Sequence, residues 1–70
     1  MYFAQAEAPC PDEQELTMWK AFAHRNGYAV GYCNGQATIT GYGLTRDQAE
    51  EISDFVQKYP IHSVFIRGEK

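Results

Sequence analysis

Within 70 residues the local signals fall in one order: strand, helix, strand, Asn-Gly turn, strand, helix, strand. The pivot is Asn34-Gly35, the dipeptide that best tolerates the two positive φ angles of a type I′ hairpin turn. A two-residue loop fixes the register of its flanking strands. It sets Cys33 opposite Gln36, Tyr32 opposite Ala37, Gly31 opposite Thr38 and Val30 opposite Ile39. Because strand side chains alternate, one face then holds Tyr28, Val30, Tyr32, Ala37 and Ile39. The other holds Ala29, Gly31, Cys33, Thr38, Thr40 and Tyr42. The first set is expected to face the helices.

Those helices have start and stop signals. Asp12 is placed to cap the first, with Glu15 completing a capping-box spacing. Leu16, Trp19, Phe22 and Ala23 recur at helical spacing, and Asn26-Gly27 ends the run. Thr45 and Gln48 repeat the capping box for the second helix, whose apolar stripe is Ala49, Ile52, Phe55, Val56 and Tyr59 before Pro60. Ile61 to Arg67 alternates as a final strand, followed by a polar tail from Gly68 to Lys70. Met1 to Ala6 is expected to be the first strand, although Ala, Gln and Glu favour strands poorly. Pro9 and Pro11 are expected to block regular pairing after it.

The resulting order is βαββαβ. It predicts one α+β domain over residues 1–70, a ferredoxin-like sandwich in which a four-stranded antiparallel sheet carries two helices on one face. The expected spatial order is final strand, first, third, second. Without the first strand, the alternative is a three-stranded αββαβ domain. Leu16, Trp19, Phe22, Val30, Ile39, Ile52, Val56, Val64 and Ile66 are the expected core.

Composition narrows the function classes. A formal charge of −3, with Lys20, Arg25, Arg46, Lys58, Arg67 and Lys70 scattered, argues against phosphate backbones and anionic lipid as partners. No apolar run is long enough to span a bilayer, and no secretory signal pattern is visible, so a cytoplasmic location is expected. Cys10 and Cys33 are then expected as reduced thiols. The five tyrosines, four phenylalanines and one tryptophan exceed what a core this small needs, so some are expected at the surface.

Two surfaces could bind a partner. Asp47, Glu50, Glu51 and Asp54 form a ladder along the outer face of the second helix, suited to a basic groove, although such a face is also what any amphipathic helix presents to water. The uncovered sheet face, with Gly31, Thr38, Thr40 and Tyr42, is smooth and uncharged, and suits flat packing against another protein or a second copy of the chain. Direct RNA binding is not expected, because the third strand offers one aromatic and no basic-Gly-aromatic pattern. No cofactor, metal or catalytic residue is expected. The loop after the first strand has a single cysteine, no cysteine is placed beside a histidine, and Gly41-Tyr42-Gly43 lacks the Lys-Ser/Thr ending of a phosphate cradle and reads as a strand-to-helix turn.

The expected activity is therefore non-enzymatic: a small acidic module that occupies a partner surface, that partner being another protein with a basic face. Phage and mobile-element inhibitors of host nucleic-acid-binding complexes, such as anti-CRISPR proteins, share this composition. The alternative is a dimeric ligand-binding or regulatory module paired through its open sheet.

Overall fold

The hairpin turn sets the first reference point. In the computed structural model, which describes residues 1–10 and 12–69, Asn34 and Gly35 have φ of 52° and 79°. These values meet the type I′ requirement. They join β2 (Ala29–Cys33) to β3 (Gln36–Leu44), and the pairing runs from Cys33 opposite Gln36 to Val30 opposite Ile39 and Ala29 opposite Thr40.

The remaining elements are β1 (Tyr2–Pro9), α1 (Glu13–Asn26), α2 (Arg46–Gln57) and β4 (Ser63–Gly68). All neighbouring strands are antiparallel, in the order β2-β3-β1-β4. This is the ferredoxin-like α+β arrangement, with β1 and β3 central. The expectations for Pro11 and for Lys70 lie outside the described residues.

The helix ends follow from local chemistry. Asp12 caps α1 by accepting the Glu15 amide at 2.8 Å, and Gly27 ends it in the left-handed region at φ 76°. The reciprocal half of the expected capping box is absent, because the Glu15 carboxylate is held by Tyr59 instead. At α2 the box is complete: Gln48 N–H donates to Thr45 Oγ1 at 3.2 Å, and Thr45 N–H donates to Gln48 Oε1 at 2.9 Å.

Three strand boundaries differ from the sequence reading by two residues or more. β1 continues through Pro9, which pairs with Gln36. Cys10 N–H donates toward the β3 side, to Gly35 O at 2.8 Å. Amides alternate sides along a strand. The amide hydrogen that Pro9 lacks would therefore point toward β4, whose pairing reaches only as far as Glu7 opposite Ser63. β3 runs on to Leu44 through an irregularity that includes Gly43 at φ 61°, so Gly41-Tyr42-Gly43 lies within the strand rather than in a turn. The Gly43 amide is taken up by Glu69 Oε1 at 3.2 Å. β4 begins at Ser63 rather than Ile61, since the His62 ring is still engaged with the Tyr59 carbonyl at 2.7 Å.

Alternation along β1 turns Ala4, Ala6 and Ala8 to the helix side, where Ala37 and Ile39 of β3 join them. Over this floor lie Trp19, Phe22 and Ala23 of α1 and Ala49, Ile52 and Val56 of α2, all buried. Leu16, Val30 and Val64 are only partly buried. Ile66 shares the inner face with Ala4, its cross-strand partner, yet is 41% exposed, because β4 is an edge strand that the helices cover incompletely.

Replacing Gly35 by Val puts a β-branched residue at φ 79°. The expected cost is about 1–2 kcal/mol, the penalty of a left-handed L-residue, which in a domain of this size lowers Tm by roughly 4–16 °C. Thermal melts followed by circular dichroism measure it, and an unchanged Tm removes the turn from its structural role.

Candidate functional site

The side of the sheet away from the helices is built by the same alternation. β1 presents Phe3, Gln5 and Glu7; β3 presents Thr38, Thr40 and Tyr42; β4 presents Ser63, Phe65 and Arg67; β2 presents Ala29, Gly31 and Cys33. Phe3 sits at the centre. Its ring centroid lies 5.1 Å from that of Tyr42 and 6.1 Å from that of Phe65, with interplanar angles of 58° and 64°. The Arg67 guanidinium, directly across from Phe3 in the β1–β4 ladder, lies 5.1 Å from the Phe3 ring centroid. Tyr42 is 71% exposed and Phe65 is 53% exposed.

These four side chains form an aromatic-cationic cluster across three adjacent strands. Its formal charges are few: Arg67, and Glu7 farther along β1, whose Oε1 accepts from Ser63 Oγ at 3.2 Å. A shallow concavity of about 160 Å³ lined by Gln5, Glu7, Ser63, Val64 and Phe65 flanks it.

Of the sheet residues named from sequence, Thr38, Thr40 and Tyr42 do lie in line along central β3, and Gly31 lies opposite Thr38 on edge strand β2, with open space where a Cβ would be. Phe3 and Arg67 were not anticipated. The signal that could have found Phe3 is the β1 alternation itself, since Ala4, Ala6 and Ala8 on one face oblige it to the other, while the β4 alternation places Arg67 beside Phe65.

The acidic ladder occupies the opposite side of the molecule. Asp47, Glu50, Glu51 and Asp54 are all exposed on α2. They are not equivalent. Glu50 is paired with Arg46, with Nε to Oε1 at 3.4 Å. Glu51 lies near the buried Tyr28 hydroxyl without completing a well-formed hydrogen bond, and that hydroxyl has no partner among the described residues. Burial first, and then the Glu51 charge, raise the Tyr28 pKa. Asp47, Glu51 and Asp54 are free of any ion pair among the described residues.

A third feature lies where α1 begins and α2 ends. Trp19 Nε1–H donates to the Tyr59 hydroxyl at 2.9 Å, and that hydroxyl donates to Glu15 Oε2 at 2.5 Å. Desolvation and the hydrogen bond to Glu15 push the Tyr59 pKa up to about 12, because both disfavour a phenolate. Cys10, buried nearby, has its thiol pKa raised by burial and by the Glu15 and Asp12 charges, so its thiolate is suppressed. Cys33 is exposed, and both cysteines are free. Among the described residues no group of three His, Cys, Asp or Glu side chains is arranged to hold a metal ion, and no helix is long and apolar enough to cross a membrane.

No family model, curated protein or solved structure matches the chain.

Two outcomes follow from the titrating groups. Tyr59 has its folded pKa raised from 10.0 to about 12, so the stability it contributes is complete below pH 10 and is lost as pH rises through about 12. Urea midpoints measured from pH 9 to 12 are expected to fall across that window, with a shallower fall in Tyr59→Phe. A thiol reagent at neutral pH is expected to modify Cys33 in the native protein and Cys10 only after unfolding. Rapid native modification of both would contradict the burial of Cys10.

Proposed function

We propose that the chain is a non-enzymatic protein-binding module that acts by covering a partner's surface with its open sheet face. The observation that carries this reading is the cluster of exposed Tyr42 and Phe65 about a half-buried Phe3, on a face nearly free of charge. Aromatic side chains surrounded by small and weakly polar residues, here Thr38, Thr40 and Gly31, have the make-up of an interface centre. Arg67 adds a residue type that is enriched in such centres.

The same geometry argues against nucleic acid. Sequence-tolerant stacking needs ring faces open to bases and a cationic groove beside them. Here the rings tilt edge-on against one another, the guanidinium of the face already rests over Phe3, and Glu7 offsets its charge. The sheet is favoured over the acidic ladder because one ladder member is already paired with Arg46 and another lies beside Tyr28. The finer reading is an inhibitor from a phage or mobile element that blocks a host nucleic-acid-binding complex, as anti-CRISPR proteins do. Small size and a net charge of −3 support it, and it adds a basic rim to the partner's surface.

Affinity capture with parallel variants tests the reading. A partner retained by the native chain is expected to lose affinity by roughly tenfold or more per residue in Tyr42→Ala and Phe65→Ala, as for interface anchors. Reversal of Asp47, Glu50, Glu51 and Asp54 to Lys is expected to leave binding within a few-fold. The opposite pattern moves the binding surface to α2. A native chain that is a stable dimer, and that Phe65→Arg makes monomeric, would instead mark the sheet as a contact between copies.

A further inference from the structure

The Trp19–Tyr59–Glu15 chain borders a cavity of about 310 Å³ lined by Pro9, Glu15, Tyr59, Pro60 and Ile61. We propose that this cavity receives the side chain of an arginine from a partner polypeptide. The inference is independent of which face that partner covers.

The chemistry of the walls selects the ligand. Pro9 and Pro60 have no N–H to donate. The Tyr59 hydroxyl has one proton, and because it accepts from the Trp19 indole, that proton goes to Glu15 Oε2. Glu15 keeps a second oxygen, Oε1, that accepts no hydrogen bond from any described residue. The side chains around the cavity therefore offer an acceptor and a negative charge, and no free donor. Among these side chains an anion or a carbonyl finds no donor. A cation rich in donors does, provided that its stem is apolar, since Pro9, Pro60, Ile61 and the Tyr59 ring make up the rest of the wall. Ile61 is 71% exposed at this rim, so apolar surface is ready to be covered.

Further observations support an arginine. The Lys58 ammonium lies nearer the Phe55 ring, at 4.7 Å, than the Tyr59 ring, at 5.4 Å; it does not line the cavity and makes no ion pair with Glu15, so the Glu15 charge is left for a ligand. Burial, and after it the charges of Glu15 and Asp12, raise the Cys10 thiol pKa, so the charge on this side of the cavity is negative. The volume is at the lower end of the range for ligand sites, which suits one side chain rather than a larger ligand. A planar guanidinium can also lie flat on the Tyr59 ring or the proline rings while bonding the carboxylate, which an ammonium does less well.

The test uses the chain's one tryptophan. Its indole N–H donates into the hydrogen-bond chain, so its amide-type NMR cross-peak reports on Glu15 through Tyr59. Titration of the full protein with a capped glycine-arginine-glycine peptide at millimolar concentration is expected to shift that cross-peak saturably. The same peptide with citrulline, which keeps the shape and removes the charge, is expected to bind roughly tenfold more weakly or worse, as for a lost charge-assisted hydrogen bond. Glu15→Gln retains an acceptor for Tyr59 and is expected to stay folded while losing the response to arginine. No saturable shift with arginine, or equal shifts with arginine and citrulline, overturns the proposal. Both of those outcomes are read on the native protein, so they stand even if the variant misfolds. They are also separate from the sheet test, because Tyr42 and Phe65 do not line this cavity.

Discussion

The structure depends on matching large rings on the helices to a floor of very small side chains on the sheet. Ala4, Ala6, Ala8 and Ala37 are all but fully buried beneath α1 and α2. No Cα of α1 comes within 8 Å of a Cα of α2, so the helices are joined by side chains rather than by close backbones. Phe22 and Phe55 stack at 4.3 Å, Trp19 meets Phe55 edge-on at 5.2 Å, and Tyr59 closes the row 5.8 Å from Trp19. Large rings are how a chain of 70 residues buries enough apolar area to hold one fold.

That solution creates a polar obligation. Trp19 is fully buried, and its indole N–H needs an acceptor inside the protein. Tyr59 accepts it, which leaves the tyrosine proton in turn to be satisfied, and Glu15 does so. Glu15 is thereby drawn away from the capping role that its position in the sequence suggests. A carboxylate is thus anchored beside prolines and a tyrosine ring, and an apparently structural requirement shapes the rim of a cavity. Tyr28 shows the contrast: its hydroxyl is buried without a hydrogen-bond partner among the described residues, and burial first, then the nearby Glu51 charge, raises its pKa.

The two sides of the sheet follow from one alternation but have different fates. Turning alanines inward on β1 turns Phe3, Gln5 and Glu7 outward. The helices cover the first set and leave the second to gather Tyr42 from β3 and Phe65 and Arg67 from β4. The acidic surface of α2 lies on the far side. A flat partner centred on the aromatic cluster therefore leaves the ladder in water, where its charges add solubility and long-range attraction more than contact energy.

The sequence alone determined what depends on neighbours along the chain. The Asn34-Gly35 turn set the β2–β3 register, and with it the placement of Thr38, Thr40 and Tyr42 on one face. The caps at Asp12, Gly27 and Thr45 marked helix ends, and helical spacing found Trp19, Phe22, Ile52 and Val56. Only the tertiary structure decided the rest, because it turns on pairings between distant segments. Whether Pro9 could sit in a strand depended on where β4 stops, and how far Ile66 is covered depended on the reach of the helices. Phe3 and Arg67 became partners of Tyr42 only once β1 lay between β3 and β4, and Glu15 met Tyr59 only across 44 residues of chain. Local propensity carries no information about such contacts, since the energy that selects them arises when the core closes.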